Sequence, residues 1–180
     1  MSERQTRITK LKLEDGKISI SYQKPSTRDP DEWLDYKLTS EVAPHIALLD
    51  ALKSLKIPML DLLEMGHAYG ERFEVCGLNI KYRAKDGAMI TSIVAKKVLR
   101  HTAALLELKS PSLAETAPDS NPDDHRALTT STALAVNEVV EQCLAYLRER
   151  GSLTSVNVLE DMERSVVESE AVAANDESPG

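Results

Sequence analysis

The sequence predicts an α+β fold: a mainly antiparallel sheet built from Asp-Gly hairpins, with helices packed on one face. Three observations carry this. Two pairs, Asp15-Gly16 and Asp86-Gly87, each sit between strand-like runs. Asp and Gly both tolerate positive φ, so such a pair can reverse the chain within two residues. Two later segments, one after each hairpin, space their apolar residues as one face of a helix.

Counting outward from Asp15-Gly16 sets Leu13 opposite Ile18, Leu11 opposite Ile20 and Thr9 opposite Tyr22. Side chains alternate across a strand. One face is therefore apolar, and the other carries Lys10, Lys12, Lys17, Ser19 and Ser21. KPSTRDPDE then reads as a polar loop and WLDYKLTSEV as a third strand. Ser40 or Pro44 marks the start of a helix whose apolar stripe is Leu48, Ala51, Leu52 and Leu55. Pro58 is expected to kink or end it, leaving MLDLLEM as a second helical piece. Gly66 and Gly70 close this segment.

The same count around Asp86-Gly87 sets Ala84 opposite Met89, Tyr82 opposite Thr91, Ile80 opposite Ile93 and Leu78 opposite Ala95. The outer face of the first strand carries Asn79, Lys81, Arg83 and Lys85. Its partner is apolar on both faces, as a strand interior to a sheet would be. AALLELKS reads as a further strand and SPSLAETAPDSNPDD as a loop. A helix follows, starting between Asp123 and Thr132, with Val136, Val140, Cys143, Leu144 and Leu147 on one stripe. Gly151 suits the position just past its end, and Arg148 and Arg150 suit its last turn.

The order strand, turn, strand, strand, helix thus occurs twice, over residues 6–65 and 71–151. It reads either as a duplicated unit or as chance recurrence of a common hairpin. Residues 1–151 are expected to form one domain. Val156, Leu159, Met162 and Val166 could line a short helix beyond it, but 152–180 as a whole has the composition of an acidic, flexible tail.

Apolar residues make up 42% of the chain, with one Trp and one Phe, so the core must be aliphatic. No run approaches the roughly 18 apolar residues that cross a bilayer. The polar start MSERQTRITK lacks the apolar middle of a secretion signal. A cytoplasmic protein is expected, with no membrane partner. Cys76 and Cys143 then read as buried thiols rather than a disulfide. The net charge of −7 is uneven: residues 152–180 hold seven acids and one base, so the rest of the chain carries only −1. Overall acidity therefore leaves nucleic acid open as a partner of the body.

Enzyme constellations are missing from the sequence. His45, His67, His101 and His125 stand alone, without zinc-site spacing. GHAYG lacks the Lys-Ser/Thr of a phosphate-binding loop, and no GxSxG occurs. The acids of DPDE (Asp29, Asp31 and Glu32) lack calcium-loop spacing and read as a solvated loop. The chain is therefore read as non-enzymatic, with no catalytic residue, cofactor or metal assigned. An active site without a local motif stays open, since triads need no sequence proximity.

Cations supply the one patterned surface. Lys10, Lys12 and Lys17 share a face of the first hairpin; Lys81, Arg83 and Lys85 share one of the second; Lys96 and Lys97 follow. Such rows suit the phosphates of single-stranded or duplex DNA, with salt-sensitive affinity. Lysines on exposed strands equally serve solubility and block edge pairing. Tyr22 and Tyr82 fall on the apolar faces, so base-stacking partners are not evident. A second class is a protein-binding inhibitor or adaptor directed at an enzyme, touching it through the acidic tail or through residues 59–65. In either class a homo-oligomer is expected.

The runs LEDGKISISYQK, DEWLDYKLTSE, ERFEVCGLNIKYR and GAMITSIVAKKVL resemble the recurring blocks of small, functionally unassigned proteins of tailed phages and prophages. The resemblance covers roughly residues 5–110. It implies a phage setting and a host-cytoplasm location, and it transfers no functional residue. The strand order is also similar to that of sliding-clamp domains and of single-strand annealing proteins. A clamp helix facing DNA should be basic, whereas the last helix sets Glu138, Glu141 and Glu149 against Arg148 and Arg150. An annealing protein needs basic strand faces, which this chain has, and stacking aromatics, which the count does not supply. The resulting expectation is an accessory protein of phage DNA metabolism, in replication or recombination; the alternative is an inhibitor or adaptor directed at a host or phage enzyme, such as a counter-defence protein.

Overall fold

A computed structural model describes residues 6–29, 31–115 and 127–150. His125, Gly151 and the expected tail over 152–180 lie outside these residues. The chain divides into two compact units, 1–144 and 145–180. Of the second, the described part is the end of one helix and Arg150.

The expected α+β class is what forms. The elements run β1 (Arg7–Glu14), β2 (Lys17–Pro25), β3 (Trp33–Ser40), α1 (Ile46–Ser54), α2 (Lys56–Leu62), a 3-10 turn (His67–Gly70), β4 (Phe73–Tyr82), β5 (Met89–Val98), β6 (Leu105–Lys109), β7 (Leu113–Ala114) and α3 (Thr130–Glu149). The strands make one antiparallel sheet in the order β3-β2-β1-β4-β5-β6, with β7 also beside β5.

The first hairpin turns as the sequence predicts. Asp15 and Gly16 have φ of 51° and 77°, and Leu13 and Leu11 face Ile18 and Ile20. Further out the register departs from the count. Thr9 bulges out of the pairing, and Ile8 rather than Thr9 faces Tyr22. The extra residue lets Ile8 enter the core, where it is buried beside an aromatic that a threonine would cover poorly.

The second hairpin is not a two-residue turn. Six residues, Arg83–Ala88, form the loop; it closes with Arg83 N–H donating to Ala88 O and Gly87 N–H to Arg83 O. Asp86 accepts from the Ala88 N–H and pairs with Arg83, so it holds the loop instead of occupying a positive-φ position. Tyr82 therefore faces Met89, Ile80 faces Thr91 and Leu78 faces Ile93, two residues short of the predicted partners. A slip of two preserves every side chain's face, which is why the apolar and polar faces survive the correction. Arg83 and Lys85 do not: they lie in the loop, off the strand face.

The two meanders, β1-β2-β3 and β4-β5-β6, meet through their first strands. Lys10 faces Asn79, Leu11 faces Leu78 and Lys12 faces Gly77. Shifting by 67 residues, the separation of Leu11 and Leu78, carries the bulge at Thr9 onto the bulge at Cys76 and exchanges the two outer pairs. An approximate two-fold of register therefore passes through the Leu11–Leu78 pair. The recurrence of hairpins in the sequence corresponds to a recurrence of strand order in the fold.

Helices cover the apolar face. The row Leu38–Ile20–Leu11–Leu78–Ile93 crosses five strands on that face. Its inner members, Ile20, Leu11, Leu78 and Ile93, are buried, as are Leu48, Leu52, Leu55, Met59 and Leu60 of the first helical segment. The predicted break at Pro58 falls earlier, at Leu55. Pro58 sits in the first turn of α2, where its missing N–H forfeits no helical bond. α1 starts after His45 rather than at Ser40 or Pro44. In α3, Val136, Cys143, Leu144 and Leu147 are buried as predicted; Val139 and Tyr146 join them, and Val140 is half-buried. The Thr129 hydroxyl accepts the Thr132 N–H at its start, a capping bond.

After β6 the chain is pinned by Ser110, whose buried hydroxyl accepts the Ile93 N–H at 2.9 Å and donates to Pro111 O. Ser110→Ala leaves that strand N–H buried and unpaired. The expected loss is about 1–3 kcal/mol, read by urea denaturation.

Candidate functional site: the lysine-bearing sheet face

Register and alternation define the face opposite the core. One row across it reads Ser92–Asn79–Lys10–Ser21–Lys37, and the next Gly77–Lys12–Ser19–Thr39. Lys17, Lys81, Lys96 and Lys109 lie on the same side by strand alternation. The face thus carries seven lysines, with Glu14, Asp35, Glu74 and Glu107 among them.

Neutralisation is local. Lys12 pairs with Glu14 at 2.7 Å, Lys96 reaches the same carboxylate at 3.3 Å, and Lys17 pairs with Glu41 at 2.6 Å. Hydrogen bonds from Lys12 and Lys96 hold Glu14 below the usual carboxylate range, and Glu14 in turn raises Lys12. Lys12 and Glu14 are therefore both charged at neutral pH. Among the described residues, no carboxylate lies within ion-pair distance of Lys10, Lys37 or Lys81, and all three are exposed. A groove of about 580 Å³ runs between Lys10, Lys12, Lys17 and Lys37, floored by Ser19, Ser21 and Thr39, with Glu14 and Asp15 also in its wall. Away from those two carboxylates, the ammonium and hydroxyl groups offer the donors that a phosphate oxygen accepts.

Of the cations singled out from the sequence, Lys10, Lys12, Lys17, Lys81 and Lys96 share this face. Arg83 and Lys85 stand beside it in the loop. Lys97 is on the opposite face, its Nζ donating to the Tyr69 carbonyl and lying 5.2 Å from the Tyr69 ring centroid. It follows Lys96 directly in a strand that continues to Val98, so alternation sends the two to opposite sides. Lys37 and Lys109 were missed. Lys37 alternates with Thr39 in WLDYKLTS, but its face depends on pairing with β2; Lys109 depends on pairing with β5.

The Asp29 carboxylate accepts the Asp31 N–H, and the Ser26 hydroxyl accepts from Arg28 and Asp29, so the DPDE acids belong to a self-closed turn. His67 pairs with Asp61 at 2.8 Å. Burial pushes the Cys76 thiol up and the Cys143 thiol up to about 12, and both stay protonated. Among the described residues no group of His, Cys, Asp and Glu could hold a metal ion. No helix there is long and apolar enough to cross a membrane. No protein-family model, no curated protein and no solved structure matches the chain.

Proposed function

We propose that the chain is a non-enzymatic nucleic-acid-binding protein, an accessory of phage-type DNA metabolism, and that its lysine-bearing sheet face follows a phosphate backbone. The supporting observation is the row in which Lys10 and Lys37, two strands apart, flank Ser21 with no carboxylate partner among the described residues, while Lys81 stands on β4 two residues beyond the row's Asn79. Adjacent strands stand roughly 4.8 Å apart, so cations two strands apart sit about 10 Å apart. Long flexible side chains can bring that spacing to successive phosphates. Lysine acts here as a point charge, without the fixed fork that reads bases, so the contact should be independent of sequence.

The test is binding of a single-stranded oligonucleotide by the full chain at about 50 mM and 200 mM salt. The variant is Lys10→Glu, Lys37→Glu and Lys81→Glu together. These side chains are exposed, so the fold should persist, as circular dichroism would show. Each lost phosphate contact should reduce the slope of log K against log salt by about 0.7, or about 2 for the three. Absence of wild-type binding at low salt, or a variant with an unchanged slope, overturns the proposal.

A further inference from the structure

Pairing of β1 with β4 stops at the Lys10–Asn79 pair, next to the Thr9 bulge. Beyond it the structure holds an open cleft of about 1270 Å³, bordered by Arg7, Gln23, Trp33, Asp35, Lys81 and Tyr82. Two aromatic rings stand in it. The Arg7 guanidinium carbon lies 3.9 Å from the Trp33 ring centroid and 4.9 Å from that of Tyr82. A flat cation is thus held between two rings. Tyr82 is a fixed wall: its hydroxyl donates to Ile8 O at 3.0 Å, and burial raises it to about 12, which keeps it protonated. Beside the rings, Gln23 Nε2 donates to Asp35 Oδ1 at 2.9 Å, an amide and a carboxylate on the rim.

The charges of this cleft differ from those of the lysine face. Arg7, Lys81 and Arg83 are balanced by Asp31, Asp35 and Glu141, so it is electrically even. A neutral slot with aromatic walls and a rim of hydrogen-bonding groups matches a nucleobase better than a phosphate. Lys81 borders the cleft and also belongs to the lysine face, so a backbone on that face passes the mouth of the slot.

We infer that the cleft takes an unpaired nucleobase between Trp33 and Tyr82, in the space the Arg7 guanidinium holds, and that the preferred ligand is therefore single-stranded nucleic acid. Arg7 then turns its charge to the adjoining phosphate. The inference rests on the phosphate-face reading above and adds the discrimination that reading lacks. A base in a duplex is already stacked and cannot enter; a base in a single strand can.

Trp33 is the sole tryptophan of the chain, so its emission reports this slot alone. The experiment titrates the full chain with oligothymidylate, with a duplex of equal charge and with inorganic polyphosphate. Binding is followed separately by anisotropy of a labelled oligothymidylate. Stacked thymine should quench Trp33, whereas polyphosphate should displace the oligonucleotide without quenching. Trp33→Ala should weaken oligothymidylate binding roughly five- to hundredfold, the worth of one stacked base. Trp33→Phe, which keeps a ring, should bind close to wild type. If oligothymidylate binds with unchanged emission, or the duplex quenches equally, the slot is overturned while the phosphate face stands. If nothing binds at low salt, both fall.

Discussion

Gly77→Ala is expected to cost about 3 kcal/mol or more, a large share of the roughly 5–15 kcal/mol that keeps a domain folded. Gly77 lies at the seam of the two meanders, opposite Lys12 and next to the Cys76 bulge. A Cβ at this position would collide with the Leu11 carbonyl oxygen, and it would stand 3.5 Å from Lys12 Cα. The obstruction is backbone, so no rotamer change relieves it. Relief requires β1 to move away from β4, and the paired register between them is three residues long. Gly66→Ala is the control. Its φ is −61°, and its Cβ would meet only Tyr69 Cδ2, at 3.8 Å. Guanidinium denaturation of the two variants should separate them clearly, with Gly66→Ala within about 0.5 kcal/mol of wild type. Equal stabilities would show that β1 and β4 do not join at this register.

Leu78→Ala should be nearly as damaging for a different reason. Leu78 is 1% exposed and sits between Leu11 and Ile93 in the apolar row. Truncation removes packed atoms from the middle of the sheet, and the neighbouring strands cannot close on the gap without breaking register. The expected loss is about 2–5 kcal/mol. That corresponds to a fall in melting temperature on the order of 10 °C. The adjacent Asn79 points to the other face, so the variant, kept cold enough to stay folded, should retain the wild-type salt dependence of oligonucleotide binding. Loss of that dependence in a folded Leu78→Ala protein would mean that the two faces are not independent.

The legible parts of this fold were those set by short-range rules. Asp15-Gly16 adopts positive φ at both residues because nothing bulkier competes, and alternation then sorts Leu11 and Ile20 from Lys10 and Ser21. Asp86-Gly87 carries the same dipeptide and behaves differently. There the Asp86 side chain caps a six-residue loop and Tyr82 pairs with Met89, extending the ladder. A dipeptide signals that the chain turns; how far apart the strand ends stand depends on what they pair with. Pro58 shows the same limit. It marks a helical discontinuity, but the break falls at Leu55, a fully buried residue whose position the core dictates.

The candidate site was partly legible for the same reason. Lys10, Lys12 and Lys17 share a face by alternation within one hairpin. Lys37 joins them through cross-strand register, and Lys97 leaves them because β5 runs on through Val98. The cleft at Arg7 was not legible. It brings together Arg7, Trp33 and Tyr82 from three strands, and it opens where the Thr9 bulge ends the β1–β4 pairing. No local pattern announces a bulge, because its advantage, Ile8 buried in place of Thr9, exists only once the core has formed. The sequence by itself determined the class of fold, the two faces of each hairpin and the aliphatic core, since these follow from periodicity and composition. Only the tertiary structure decided which strands adjoin beyond the two hairpins, where the bulges fall and which cations and rings meet, because these depend on contacts between residues far apart in the chain.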